Sequence, residues 1–179
     1  MKFNDEKKIL ELLNIAIDSG KEILKIYDNE ITVNSKKDKT PITQADINSN
    51  NLIVSRLKML EPNIPILSEE SLIEWESRKN WDKYWLIDPL DGTKEFINRN
   101  GEFTVNIALI ENGVPTFGGI YVPVTDTYYF GVKGEGAFKK EGNSELKELK
   151  VNKNSGEWIA VGSKSMLNQQ KKNFIKKLE

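Results

Sequence analysis

Residues 103–110 read FTVNIALI, Asn112-Gly113 follows one residue later, and a second extended run continues through Tyr121 and Val122. Asn-Gly supplies two residues that tolerate positive φ, as a type I′ turn requires, so this stretch predicts a β-hairpin. The next stretch, TYYFGVKGEGAFKK, predicts two more short strands around its glycines. Strands joined by short turns form a meander, and a meander forms an antiparallel sheet. Such a sheet buries one face against another layer.

That layer is predicted upstream. Residues 5–28 carry Ile9, Leu13, Ala16, Ile17, Gly20, Ile23, Leu24 and Tyr27 at helical spacing, with Lys and Glu between them. ITVNSKKDKTP then predicts a strand running into a loop. A second helix should start near Thr43, where Thr43-Gln44-Ala45-Asp46 has the form of a capping box. Ile47, Ile53, Val54, Leu57 and Leu60 give it an apolar stripe, and Pro62 and Pro65 end it. PILSEES predicts a short strand closing on Glu69 and Glu70. A polar loop with Trp75 and Trp81 follows, and YWLID predicts a buried strand. WIAVGSKS and a closing amphipathic helix complete the chain. The fold class expected from this order is α+β, with two long helices packed on an antiparallel sheet.

Composition narrows the chemistry. The chain has 26 Lys+Arg against 27 Asp+Glu, a net charge of −1, so nothing favours a nucleic-acid polymer as partner. The longest apolar runs, such as YWLI and IALI, are four residues, where a membrane span needs about 20. The charged start, MKFNDEKK, is unlike a secretory signal. A cytoplasmic location is expected, with peripheral association at the inner membrane face left open. There is no cysteine and no histidine. That excludes, within this chain, a thiol nucleophile, a Cys/His zinc site and a Ser-His-Asp triad. Acid–base work near neutral pH falls to carboxylates, Lys, Tyr or activated water.

Carboxylates gather around LIDPLDGT, residues 86–93. Each acid alone has an ordinary explanation: Asp-Gly is a turn pair, Asp46 a helix cap, Glu69 an exposed loop acid. Together they say more. Glu69 and Asp88 each end a short apolar strand, so neighbouring strands would place both at one sheet edge. Asp91 returns there if Pro89 and Gly92 fold the loop tightly. Two carboxylates about 4 Å apart repel by roughly 4 kcal/mol at an effective dielectric near 20. Such a group needs raised pKa values or a cation. Oxygen-only ligands point to a hard ion such as Mg²⁺. The Leu90 carbonyl, left unpaired by the turn, would face the ion. Thr93 offers a hydroxyl, and Gly92 leaves room for a phosphate. Metal-assisted phosphoryl transfer to water suits this set.

IDPLDGT resembles the signature of the inositol monophosphatase-like superfamily, Mg²⁺-dependent and lithium-sensitive phosphomonoesterases. DKTPITQAD, PILSEES and WLIDPLDGTKEFINRNGEFTVNIALIENG, in that order, are most similar to the bacterial 3′(2′),5′-bisphosphate nucleotidases. The resemblance implies a layered sugar-phosphatase-like fold. It implies metal binding by Glu69, Asp88, Asp91 and the Leu90 carbonyl. Catalytic roles fall to Asp46, Thr93 and Glu69, with Asp46 and Thr93 orienting or deprotonating the attacking water. Gly92 and Thr93 would contact the substrate phosphate. Asp38, in DKTP, would lie near the metals. The implied reaction hydrolyses adenosine 3′,5′-bisphosphate to AMP and phosphate, clearing a by-product of sulfate activation. The partner is a small phosphorylated molecule, and a homodimer is left open.

The superfamily pattern continues into a second α/β domain with a W-D-x-A-A-G motif. Here the only Trp-Asp pair, Trp81-Asp82, is followed by Lys-Tyr and reads as a packing tryptophan beside a loop acid. The expectation is an N-terminal metal-binding α+β domain over 1–150 and the start of an incomplete C-terminal domain over 151–179. Three alternatives stand beside the nucleotidase. One is an inositol monophosphatase or fructose-1,6-bisphosphatase-type activity. Another is an inactive fragment that binds metal or a partner chain without turnover. The last is an unrelated α+β binding module.

Overall fold

The computed structural model describes residues 6–29, 31–35, 41–71 and 73–151. The chain divides into two compact units, Met1–Leu149 and Lys150–Glu179, and the elements below belong to the first. The expected strand WIAVGSKS, the closing helix and Asp38 lie outside the described residues.

Helix α1 (Glu6–Tyr27) buries Ile9, Leu12, Ile15, Ala16, Ser19, Gly20 and Ile23. A short antiparallel ribbon follows, β1 (Val33–Ser35) with β2 (Pro41–Thr43). Only its first strand was expected. Helix α2 (Gln44–Leu60) then starts at Thr43 with the capping box that the sequence announces. Asp46 Oδ2 accepts from the Thr43 amide at 2.7 Å, and Thr43 Oγ1 accepts from the Ala45 amide at 3.2 Å. Its buried face carries Ala45, Asp46, Ser49, Ile53 and Leu57. Ile47, expected in the apolar stripe, is exposed. The inward positions around it are held by Ala45, Asp46 and Ser49.

Seven strands form one sheet in the order β3-β4-β5-β6-β7-β8-β9. They are β3 (Ile66–Ser68), β4 (Lys83–Asp91), β5 (Thr104–Glu111), β6 (Val114–Val122), β7 (Thr127–Val132), β8 (Gly136–Glu141) and β9 (Lys147–Leu149). From β4 onward the pairings are antiparallel, as the meander predicts. Asn112 (φ 52°) and Gly113 (φ 74°) make the expected β5–β6 turn. The edge strand β3 differs, because it runs parallel to β4. The loop between them contains a short helix, α3 (Trp75–Arg78), that the sequence did not reveal. Trp81 packs near Tyr84, with ring centroids 6.0 Å apart, which fits its reading as a packing residue.

Helices α1 and α2 lie side by side on one face of the sheet. Trp85 and Ile87 of β4, Val105, Ile107 and Leu109 of β5, and Phe117 and Tyr121 of β6 form the core with them. Each fully buried side chain of this size contributes about 1.5–3 kcal/mol relative to exposure. Contact is close at Gly20, where a Cβ would lie 2.4 Å from Tyr121 Cε1. The other face carries Leu86, Ile120 and Leu149, exposed among the described residues. It forms an open hollow of about 740 Å³ that reaches Glu69, Asp88 and Asn106 at one end. No helix among the described residues is long and apolar enough to cross a membrane.

Candidate active site

The parallel pairing of β3 with β4 aligns Ser68 with Ile87. The next residues, Glu69 and Asp88, therefore come side by side where β3 ends, and the Glu69 amide donates to the Ile87 carbonyl at 3.2 Å. Burial pushes the Asp88 carboxyl up to about 8. The nearby charges of Glu69 and Asp91, and a hydrogen bond with Glu69, push the same way, and the Leu90 amide opposes them. Asp88 Oδ1 is buried and has no hydrogen-bond partner among the described residues.

After Asp88 the ladder breaks. Asp88 pairs with Asn106 and Asp91 with Thr104, so Pro89 and Leu90 form a bulge without β5 partners. Asp91 is exposed and accepts from Asn106 Nδ2 at 3.1 Å. The Thr104 hydroxyl donates to Asn106 Oδ1 at 3.0 Å, which turns the amide nitrogen toward Asp91. Gly92 follows with φ 94° and ψ 39°, and caps the short helix α4 (Thr93–Ile97). Phe96 of that helix is wedged between Tyr27 and Phe103, with centroids 5.3 Å from each. This aromatic trio fixes where α4 begins, and therefore where Thr93 stands.

Thr93 Oγ1 lies 3.1 Å from Asp46 Oδ1 and 3.3 Å from the Leu90 carbonyl. The Leu90 carbonyl is thus not unpaired, as expected from the turn, but shares the Thr93 hydroxyl. One long hydrogen bond leaves an oxygen lone pair available. Asp46 is fully buried. Its Oδ2 accepts from the Thr43 amide at 2.7 Å and the Thr43 hydroxyl at 2.6 Å, and its Oδ1 faces Thr93. The capping role and the contact with Thr93 coexist in one carboxylate.

The seven residues singled out by sequence therefore fall into two linked groups. Asp46, Leu90 and Thr93 share hydrogen bonds, with Gly92 between the last two. Glu69, Asp88 and Asp91 share an electrostatic field. Asn106, Thr104 and Ser49 were missed. Asn106 had a signal, since it interrupts the apolar run FTVNIALI. Ser49 had another, lying three residues after Asp46 on the same helical face.

The donors suit a hard cation: all are oxygens, three carboxylates repel one another, and one buried carboxylate oxygen lacks a partner. Among the described residues, no three acidic side chains already form a finished ion cage.

A profile of the inositol monophosphatase family matches residues 5–179. The 3′(2′),5′-bisphosphate nucleotidase CysQ of Buchnera aphidicola is 41% identical over 175 residues, covering 97% of this chain and 65% of that protein. CysQ of Escherichia coli is 41% identical over 170 residues, covering 94% of this chain and 68% of that protein. The chain thus spans about two thirds of the length of these relatives. The crystal structure of CysQ from Bacteroides thetaiotaomicron, described as a bacterial member of the inositol monophosphatase family, superposes with a TM-score of 0.77 at 38% identity. It matches 95% of this chain and 67% of that one.

Proposed function

The chain belongs to the inositol monophosphatase family, and from that premise we propose that it serves as a Mg²⁺-dependent phosphomonoesterase acting on adenosine 3′,5′-bisphosphate. The observations that carry the reading are the placement of Thr93 between Asp46 and Leu90, and a buried oxygen of Asp88 that has no hydrogen-bond partner among the described residues. The names of the CysQ relatives support the substrate.

Glu69, Asp88, Asp91 and the Leu90 carbonyl would hold Mg²⁺. When bound, the metal neutralises the carboxylates and supplies Lewis acidity toward the phosphoryl group and the attacking water. This chain's residues do the rest. Thr93 directs its hydroxyl hydrogen at Asp46 Oδ1, which turns an oxygen lone pair toward the incoming water. As the water oxygen bonds to phosphorus and the ester P–O bond breaks, the water proton moves to Thr93, and the Thr93 proton moves to Asp46. The leaving oxygen takes its proton from solvent. Gly92 brings backbone close to the phosphate without a side chain in the way.

The test is phosphate release with Mg²⁺ from adenosine 3′,5′-bisphosphate and from inositol monophosphate, offered separately. Faster release from the nucleotide is expected. Release from inositol monophosphate alone would move the chain to the other branch of the family, and release from neither would make it a binding fragment. Thr93→Ala should lower kcat by about 10²-fold or more, in the range of lost general acid–base assistance. Its Mg²⁺ affinity, read by calorimetry, should change far less. A loss confined to metal affinity would make Thr93 structural.

A further inference from the structure

We propose that Ser49 is a positioning residue that mounts the bulge at Pro89 and Leu90 on helix α2, a role that rests on the metal-site reading above. The bulge lacks ladder partners in β5, so something else must hold it. Ser49 Oγ donates to the Pro89 carbonyl at 2.7 Å. Ser49 Oγ also lies 2.6 Å from Ser19 Oγ. Both serines are fully buried. A hydroxyl has one hydrogen. Ser49 gives its hydrogen to Pro89, so Ser19 must be the donor to Ser49. The relay therefore runs one way, from α1 through α2 into the loop.

Asp46 and Ser49 stand three residues apart on one face of α2, the spacing at which helical side chains are neighbours. One holds Thr93, and the other holds Pro89. Helix α2 thus grips the loop at two points, on either side of Leu90. Fixing the Pro89 carbonyl fixes the peptide just before Leu90, and Thr93 contacts the carbonyl of the peptide just after it, so the Leu90 carbonyl is constrained from both sides. Partners that orient metal ligands from outside commonly control affinity as strongly as this.

The experiment uses the full chain with Ser49→Ala, Ser49→Cys and Ser19→Ala. Ser49→Cys keeps the shape but donates poorly. Mn²⁺ binding is followed by electron paramagnetic resonance, and amide exchange over 86–97 is followed without metal. Both Ser49 variants are expected to weaken Mn²⁺ binding about tenfold or more and to speed exchange over 88–93. Ser19→Ala removes a buried hydrogen bond but leaves Ser49 free to donate. It should lower thermal stability yet leave loop exchange and Mn²⁺ affinity close to the parent. Equal effects of the Ser19 and Ser49 variants on both readouts would overturn the proposal, as would unchanged loop exchange in both Ser49 variants. If the parent binds no Mn²⁺, the metal-site reading fails, and exchange alone decides whether Ser49 positions the loop.

Discussion

Asp88→Asn is expected to abolish Mg²⁺-dependent turnover and, in the same molecule, to stabilise the metal-free fold. The two effects share a cause. The Asp88 carboxyl is raised from 3.8 to about 8 by burial and by Glu69 and Asp91. In the unfolded chain it ionises near its ordinary value. Between these limits the folded state holds a proton that the unfolded state has lost. Stability from this group is therefore full below about pH 4 and falls as pH rises to about 8. The amide of Asn cannot ionise, so the variant avoids that loss. Discounted for partial solvent exposure, the gain near pH 8 is about 1 kcal/mol, or ~2–4 °C in Tm. Turnover should fall by more than ~100-fold, since even residues outside the ligand shell cost 10–100-fold in affinity or activity. Melting curves in EDTA from pH 5 to 9 check the first effect, and phosphate release checks the second. With Mg²⁺ added, the parent's decline with pH should flatten or reverse, because binding uses the ionised carboxylate. A variant no more stable than the parent at pH 8 would show that the acids do not strain the fold.

Gly92→Ala should disable the site by another route. Gly92 has φ 94°, a conformation that costs an L-residue about 1–2 kcal/mol. Space is closed as well: an added Cβ would lie 2.8 Å from the Glu102 carbonyl oxygen and 3.3 Å from Phe103 Cα. Both neighbours are backbone and cannot swing aside. The loop must move, and Thr93 with it. A total of about 2 kcal/mol or more, ~4–8 °C in Tm, is expected, with a large loss of Mg²⁺ affinity. Gly113→Ala is the matched control. Gly113 also has a positive φ, 74°, but nothing lies within 4 Å of its missing Cβ. It should show conformational strain alone and leave metal affinity intact. Equal effects at both positions would mean that the Glu102 contact does not constrain the loop.

Much of this architecture was legible because it is local. The α1 stripe follows from 3.6-residue periodicity, the β5–β6 turn from Asn-Gly, and the start of α2 from the spacing of Thr43 and Asp46. What stayed hidden depends on distant partners. A three-residue apolar run such as Ile66–Ser68 carries no sign of strand direction, so the parallel pairing of β3 was not foreseen. Ile47 looked like core because apolar residues usually face inward. Its neighbours Asp46 and Ser49 took inward positions, where Thr93 and Pro89 need partners. At the site, the acids could be named from the motif, but their roles remain proposals. Asn106 and Ser49 act through contacts 15 and 40 residues away, beyond any local pattern.

The odd strand has a consequence for how the molecule opens. From β5 to β9 each strand pairs with the next in sequence, and such short-range closures form quickly. The pairing of β3 with β4 joins Ile66 to Trp85 across the α3 loop, a closure comparable to the one that joins Trp85 to Leu109 across α4. A three-residue edge strand is easily undone. The acidic corner can open while the meander stays folded, which separates the lifetime of the site from the lifetime of the protein.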